Sequence, residues 1–86
     1  MYNINLYGDI MTLLNAMPYK KYLIIKLNDT YDNLIIYNKY GIYINSIIMF
    51  LYNAPFNGPY AFLISNSIIV LRTSELVKIE VIPYEV

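Results

Sequence analysis

Ser67-Ile68-Ile69-Val70-Leu71-Arg72-Thr73-Ser74-Glu75-Leu76-Val77-Lys78-Ile79 is the stretch whose reading decides the fold. The β-branched, apolar run up to Leu71 reads as a strand, Arg72 to Glu75 as a polar turn, and the residues from Leu76 as a second strand. Arg72 is the only arginine in the chain and stands at the hinge between the two. A guanidinium is planar, always charged and weakly hydrated, so a solitary one at a hinge suits stacking on, or clamping, a flat or anionic ligand.

Working outward, the first of these strands extends back to Tyr60 and the second forward to Ile82. They are expected to lie antiparallel with Arg72 in the connecting turn. Before them, Asn53-Ala54-Pro55-Phe56-Asn57-Gly58-Pro59 is punctuated by Pro and Gly and reads as a loop. Ile42 to Phe50 and Asn33 to Tyr37 are strand candidates joined by the turn Asn38-Lys39-Tyr40-Gly41, with Gly where a positive φ is wanted. Ile44, Ile47, Ile48 and Leu51 also fit a helical stripe, but the Ile and Tyr content and the preceding turn favour a strand. Asn28-Asp29-Thr30 reads as a further turn. Lys20 to Leu27 alternates with period two, placing Leu23, Ile25 and Leu27 on one face and Tyr22, Ile24 and Lys26 on the other. At the N-terminus, Asp9 is a good N-cap for a helix from 9 to 17 carrying Ile10, Leu13, Leu14 and Met17, which Pro18 stops. The fold class is therefore mainly β: one domain over 1–86, with a helix (9–17) and five strands (20–27, 33–37, 42–50, 60–71, 76–82). Short turns between strands predict a strongly bent antiparallel barrel capped by the helix.

Composition narrows the function classes. The chain has 86 residues, 58% hydrophobic and only 14% charged, with eleven tyrosines. That is near the size at which a single core is marginal, and the excess apolar area predicts a subunit interface. Formal net charge is zero, so no global field draws the chain onto duplex DNA. There is no Cys and no His, which removes thiolate metal sites, the commonest metal ligand and any nucleophile–His pair. The six carboxylates show no metal-ligand spacing and no Gly-rich phosphate loop is present. Enzyme is the weakest class, and no cofactor is expected. Neither apolar stretch, Ile42 to Leu51 or Tyr60 to Leu71, reaches the roughly 18 to 20 uninterrupted residues of a membrane span. The short N-terminus without a signal sequence predicts an intracellular, cytoplasmic protein.

Two segments resemble the Sm-like family of small barrels (Sm, Lsm and Hfq type; SH3-like in architecture). Tyr22-Leu23-Ile24-Ile25-Lys26-Leu27-Asn28-Asp29 and Gly41-Ile42-Tyr43-Ile44-Asn45 are similar to the two ends of its first motif, with Lys26 and Asn45 nineteen positions apart. Ile68 to Ile79 is similar to its second motif. Gly41 stands where that family has Asp, Ile35 where it has a strand glycine, and Thr73 where glycine follows the arginine. The resemblance covers about residues 9 to 82 and implies a non-enzymatic homo-oligomeric ring of about five to seven subunits. It also implies binding of U- or A-rich single-stranded RNA near the ring pore. Carried over by position, Tyr43 stacks on a base, Asn45 reads the base edge, and Arg72 stacks and neutralises phosphate. Read singly, these residues have plainer roles: Tyr43 in packing, Arg72 as a surface partner of Glu75, Asn45 as a cap before Ser46. Lys20-Lys21 reads as solvated charge. The rival expectation is an oligomeric structural or protein-interaction module, possibly viral, that has lost the RNA site. A third is a small α/β protein in which 44–51 is helical.

Overall fold

The computed structural model describes residues 10–56 and 58–84. Six strands form one antiparallel sheet: β1 (Met11–Thr12), β2 (Lys21–Leu27), β3 (Ile47–Asn53), β4 (Tyr60–Ile64), β5 (Ser67–Leu71) and β6 (Ile79–Pro83), in the spatial order β1-β6-β2-β3-β4-β5. Two helices interrupt them, α1 (Tyr31–Lys39) and the single turn α2 (Thr73–Leu76). Register irregularities between Ile24 and Lys26 in β2 and between Phe50 and Tyr52 in β3 bend the sheet, as β-bulges do.

The period-two reading holds where it was cleanest. β2 buries Tyr22 and Ile24, β3 buries Ile48 and Phe50, and β6 buries Ile79 and Val81. The helix expected over 9–17 is not present in its described part. Met11 and Thr12 instead pair with Val81 and Glu80 of β6, and Leu13–Asn15 form one 3-10 turn that buries Leu13. The helical spacing of Leu13, Leu14 and Met17 yields here to a ladder on the side of β6 away from β2. Asp9 lies outside the described residues.

The strand expected over 33–37 is the middle of α1. The two "turns" that bracketed it in sequence are this helix's ends: the Thr30 hydroxyl accepts from the Asn33 N–H (3.3 Å) as N-cap, and Gly41, at φ +84°, follows the last turn. Asp32 in the first turn and Lys39 in the last complement the helix dipole. The β-rich run Leu34-Ile35-Ile36-Tyr37 misled because only Tyr37 is buried, while Ile35 and Ile36 are exposed. The strand expected over 42–50 begins only at Ile47, because Asn45 takes φ +78° and breaks extended pairing before it.

The expected strand 60–71 is a hairpin. Ser65 (φ +50°) and Asn66 (φ +64°) form a two-residue turn, and Ile64 pairs with Ser67. Positive φ at both central residues is type I′ geometry, whose twist matches the flanking strands. β5 then ends at an edge. The strand expected over 76–82 starts at Ile79 and pairs with β1 and β2, not with β5, because α2 intervenes and carries the chain across to the far side of the sheet. Ile24, Phe62, Ile64, Leu71, Leu76 and Val81 form the centre of the core, all essentially inaccessible to solvent. Phe62 packs tilted against Phe50 with ring centroids 5.3 Å apart.

Candidate functional site

Three places carry side chains of interest. The first is a polar lock under α1. Asp29 Oδ1 accepts from the Thr30 N–H (2.8 Å) and from Asn33 Nδ2 (2.7 Å), and its Oδ2 accepts from the Tyr37 hydroxyl (2.6 Å). Lys78 Nζ approaches to 3.6 Å from the start of β6, and only 3% of the Asp29 side chain is accessible. The Tyr37 hydrogen bond first, then those from Asn33 and Thr30 and the charge of Lys78, hold this carboxyl well below the ordinary carboxylate range. Burial, and the carboxylate it donates to, push the Tyr37 hydroxyl up. A carboxylate saturated with donors and locked in one place is a tie between helix and sheet. It is not a free base, since three donors hold it in its charged form.

The second is an open cavity of about 540 Å³ between the 3-10 turn, the start of β2 and the end of β6. Met11, Met17, Met49, Tyr19, Tyr22 and Tyr84 line it, with Lys20 and Lys21 among its residues. Tyr22 is fixed there because its hydroxyl accepts from the Met17 N–H (2.9 Å). Thioethers are polarizable and adapt to irregular shapes, so this lining suits apolar groups of varied shape. Its methionines come from three separate segments, and no local sequence signal joins them.

The third is the set Tyr43, Asn45 and Arg72, which the structure does not bring together. Tyr43 and Asn45 occupy the turn before β3: the Asn45 N–H donates to the Ile24 carbonyl (2.7 Å), and the Tyr43 N–H donates to the Ser46 hydroxyl (3.2 Å). Asn there answers a backbone need, since it tolerates the left-handed region. Tyr43 is half exposed. Arg72 leaves the other end of the hairpin as N-cap of α2, where its N–H donates to Glu75 Oε1 (2.8 Å). It lines a shallow depression with Gly58, Pro59, Thr73 and Ser74 that includes neither Tyr43 nor Asn45. Ile48 pairs with Ile64 and Tyr60 with Leu71, so the two places sit at opposite ends of β4, about 13 Å apart along the strand. Among the described residues no group of three Asp, Glu, His or Cys side chains could hold a metal ion, and no helix is long and apolar enough to cross a membrane.

The chain matches no protein-family model and no curated protein sequence. Its fold does match solved structures. Iron(II) transport protein A from Clostridium thermocellum superposes with a TM-score of 0.80 at 26% identity, over 85% of this chain and 45% of that one. The iron uptake regulatory protein FeoA superposes with a TM-score of 0.79 at 13% identity, over 87% of this chain and 99% of that one. The manganese-activated repressor ScaR matches at 0.76 and 23% identity over 86% of this chain, but over only 35% of its own length. The chain thus spans less than half of the first of these proteins and nearly all of the second. These neighbours define an SH3-like β fold of the FeoA and metal-regulator kind. They overturn the Sm-like resemblance and, with it, the expectation of a homo-oligomeric ring binding single-stranded RNA. In this chain Asn45 serves the turn before β3 at φ +78°, and Arg72 starts α2.

Proposed function

We propose that this chain is a non-enzymatic accessory module of iron(II) uptake that acts by contact with a protein partner. The observation that carries this reading is the match to FeoA, over 87% of this chain and 99% of that one. The residue chemistry agrees. The sequence offers no imidazole or thiolate ligand, and the enclosed carboxylate of Asp29 already accepts from three protein donors. Metal selection and transport then belong to the partner, and this module supplies surface: a methionine-lined cavity and exposed apolar side chains on an open sheet. The reading is tested by deleting the chain from its host and measuring uptake of radioactive iron(II). Iron(II) uptake is expected to fall and to recover when the chain is restored. Unchanged uptake at limiting iron overturns the reading.

A further inference from the structure

β5 ends the sheet, and natural sheets blunt such edges with charge, proline, bulges or very short strands. This one has none of those devices. Ser67-Ile68-Ile69-Val70-Leu71 carries no charge and no proline, and its pairing with β4 runs without a bulge from Tyr60–Leu71 to Ile64–Ser67.

The hairpin geometry says which backbone groups the edge presents. A two-residue type I′ turn closes on a hydrogen-bonded pair, here Ile64 with Ser67, and pairs then alternate along an antiparallel ladder. Ser67, Ile69 and Leu71 therefore spend their N–H and C=O groups on β4, while those of Ile68 and Val70 point away from the sheet. No other backbone partner meets them among the described residues. The side chains of the same two residues are 64% and 63% exposed. Arg72 continues the series: its backbone is extended (φ −99°, ψ 161°), which puts its side chain on the face of Ile68 and Val70. Among the described residues no carboxylate lies within ion-pair distance of its guanidinium.

We infer that β5 is a strand-addition site for an extended segment of a protein partner. That segment pairs antiparallel with Ile68 and Val70 and carries an acidic residue opposite Arg72, followed by apolar residues two and four positions later. Backbone ladders give such complexes their affinity and alternate side chains their selectivity. Antiparallel pairing is the more stable arrangement, and it sets the acidic residue at the partner's N-terminal end. A second copy of this chain fits less well. Twofold β5–β5 pairing in the registers that use Ile68 and Val70 sets Arg72 opposite Ile64, Asn66 or Ile68, none of them acidic. The inference rests on the protein-binding reading above. Its test makes no use of iron, so the two can fail separately.

The test uses the ¹⁵N-labelled chain and two synthetic peptides, acetyl-Glu-Thr-Val-Thr-Val-Thr-amide and the same peptide with Gln first. In the free chain the Ile68 and Val70 amides exchange quickly and those of Ile69 and Leu71 slowly. The Glu peptide shifts the Ile68 and Val70 amide signals and slows their exchange. Arg72→Gln weakens the Glu peptide about threefold, as for an exposed ion pair, and leaves the Gln peptide within about twofold. Val70→Pro removes an outward N–H that β4 does not use, and it abolishes binding of both peptides. Slow exchange at Ile68 and Val70 in the free chain overturns the inference: independent of concentration it means the chain covers its own edge, and rising with concentration it means a second copy does. Shifts confined to other residues, or none at millimolar peptide, overturn it as well, and these readouts on the unsubstituted chain hold even if Val70→Pro fails to fold.

Discussion

Ser65→Val and Ser67→Val place the same side chain two residues apart, on either side of Asn66 at the β4–β5 turn, and they are expected to act in opposite directions. Both serines are exposed, so neither change buries new surface or opens a cavity. Ser65 sits at φ +50°, where the Cβ of a non-glycine residue crowds the following carbonyl and a β-branched side chain fits worst. Ser65 already carries a Cβ there, so Ser65→Val adds only the crowding of a second branch, about 1 kcal/mol. A chain of 86 residues has a total stability of about 4 to 13 kcal/mol, so the loss is a sizeable fraction. It corresponds to a fall in melting temperature of about 4 to 8 °C. Ser67 is already extended in β5, where Val is favoured by up to about 1 kcal/mol, so Ser67→Val is neutral or stabilising. Urea denaturation followed by circular dichroism gives both values under one set of conditions. Equal effects from the two substitutions refute the type I′ assignment, and with it the deduction of which β5 groups face outward.

Phe62→Ala removes a fully buried ring from beside Phe50 and is expected to cost about 3 to 5 kcal/mol; the urea midpoint measures this. Thr30→Ala takes away the N-cap of α1 and is expected to cost about 1 kcal/mol, against a few tenths for Thr30→Gly in the same assay. The Asp29 carboxyl is held below its unfolded value, so its contribution to stability is fully present above about pH 4 and is lost as pH falls toward the depressed folded value. The urea midpoint of the unsubstituted chain is therefore expected to fall on acidification, and Asp29→Asn to lower it at neutral pH and flatten that acid dependence.

The parts of the fold legible in sequence were those where local pattern and tertiary environment agree. β2, β3 and the two halves of the hairpin show alternation or dense β-branching, and their inward residues are the ones buried. α1 was hidden because Leu34 to Tyr37 has strand propensity. The spacing of Asp29, Asn33 and Tyr37, every fourth residue, was the helical signal, and it becomes compelling only once all three are seen to share hydrogen bonds. The N-terminal stretch failed in the other direction: helical spacing was present, but Met11 and Thr12 gain a strand partner in β6, some seventy residues away in sequence. The candidate site was less legible still. Tyr43, Asn45 and Arg72 share a spacing but not a place, and the cavity around Met11, Met17 and Met49 is assembled from segments that sequence cannot join. Arg72 stands between the edge strand β5 and α2, where a base-binding pocket was expected.

The central claim, a FeoA-like module that serves iron(II) uptake by offering its β5 edge to a protein partner, is tested most directly by radioactive iron(II) uptake in deleted cells restored with either the unsubstituted chain or Val70→Pro. The account predicts that both proteins accumulate to equal levels and that only the unsubstituted chain restores uptake, because proline at 70 removes an outward-facing donor and leaves the internal ladder intact. Full restoration by Val70→Pro contradicts it.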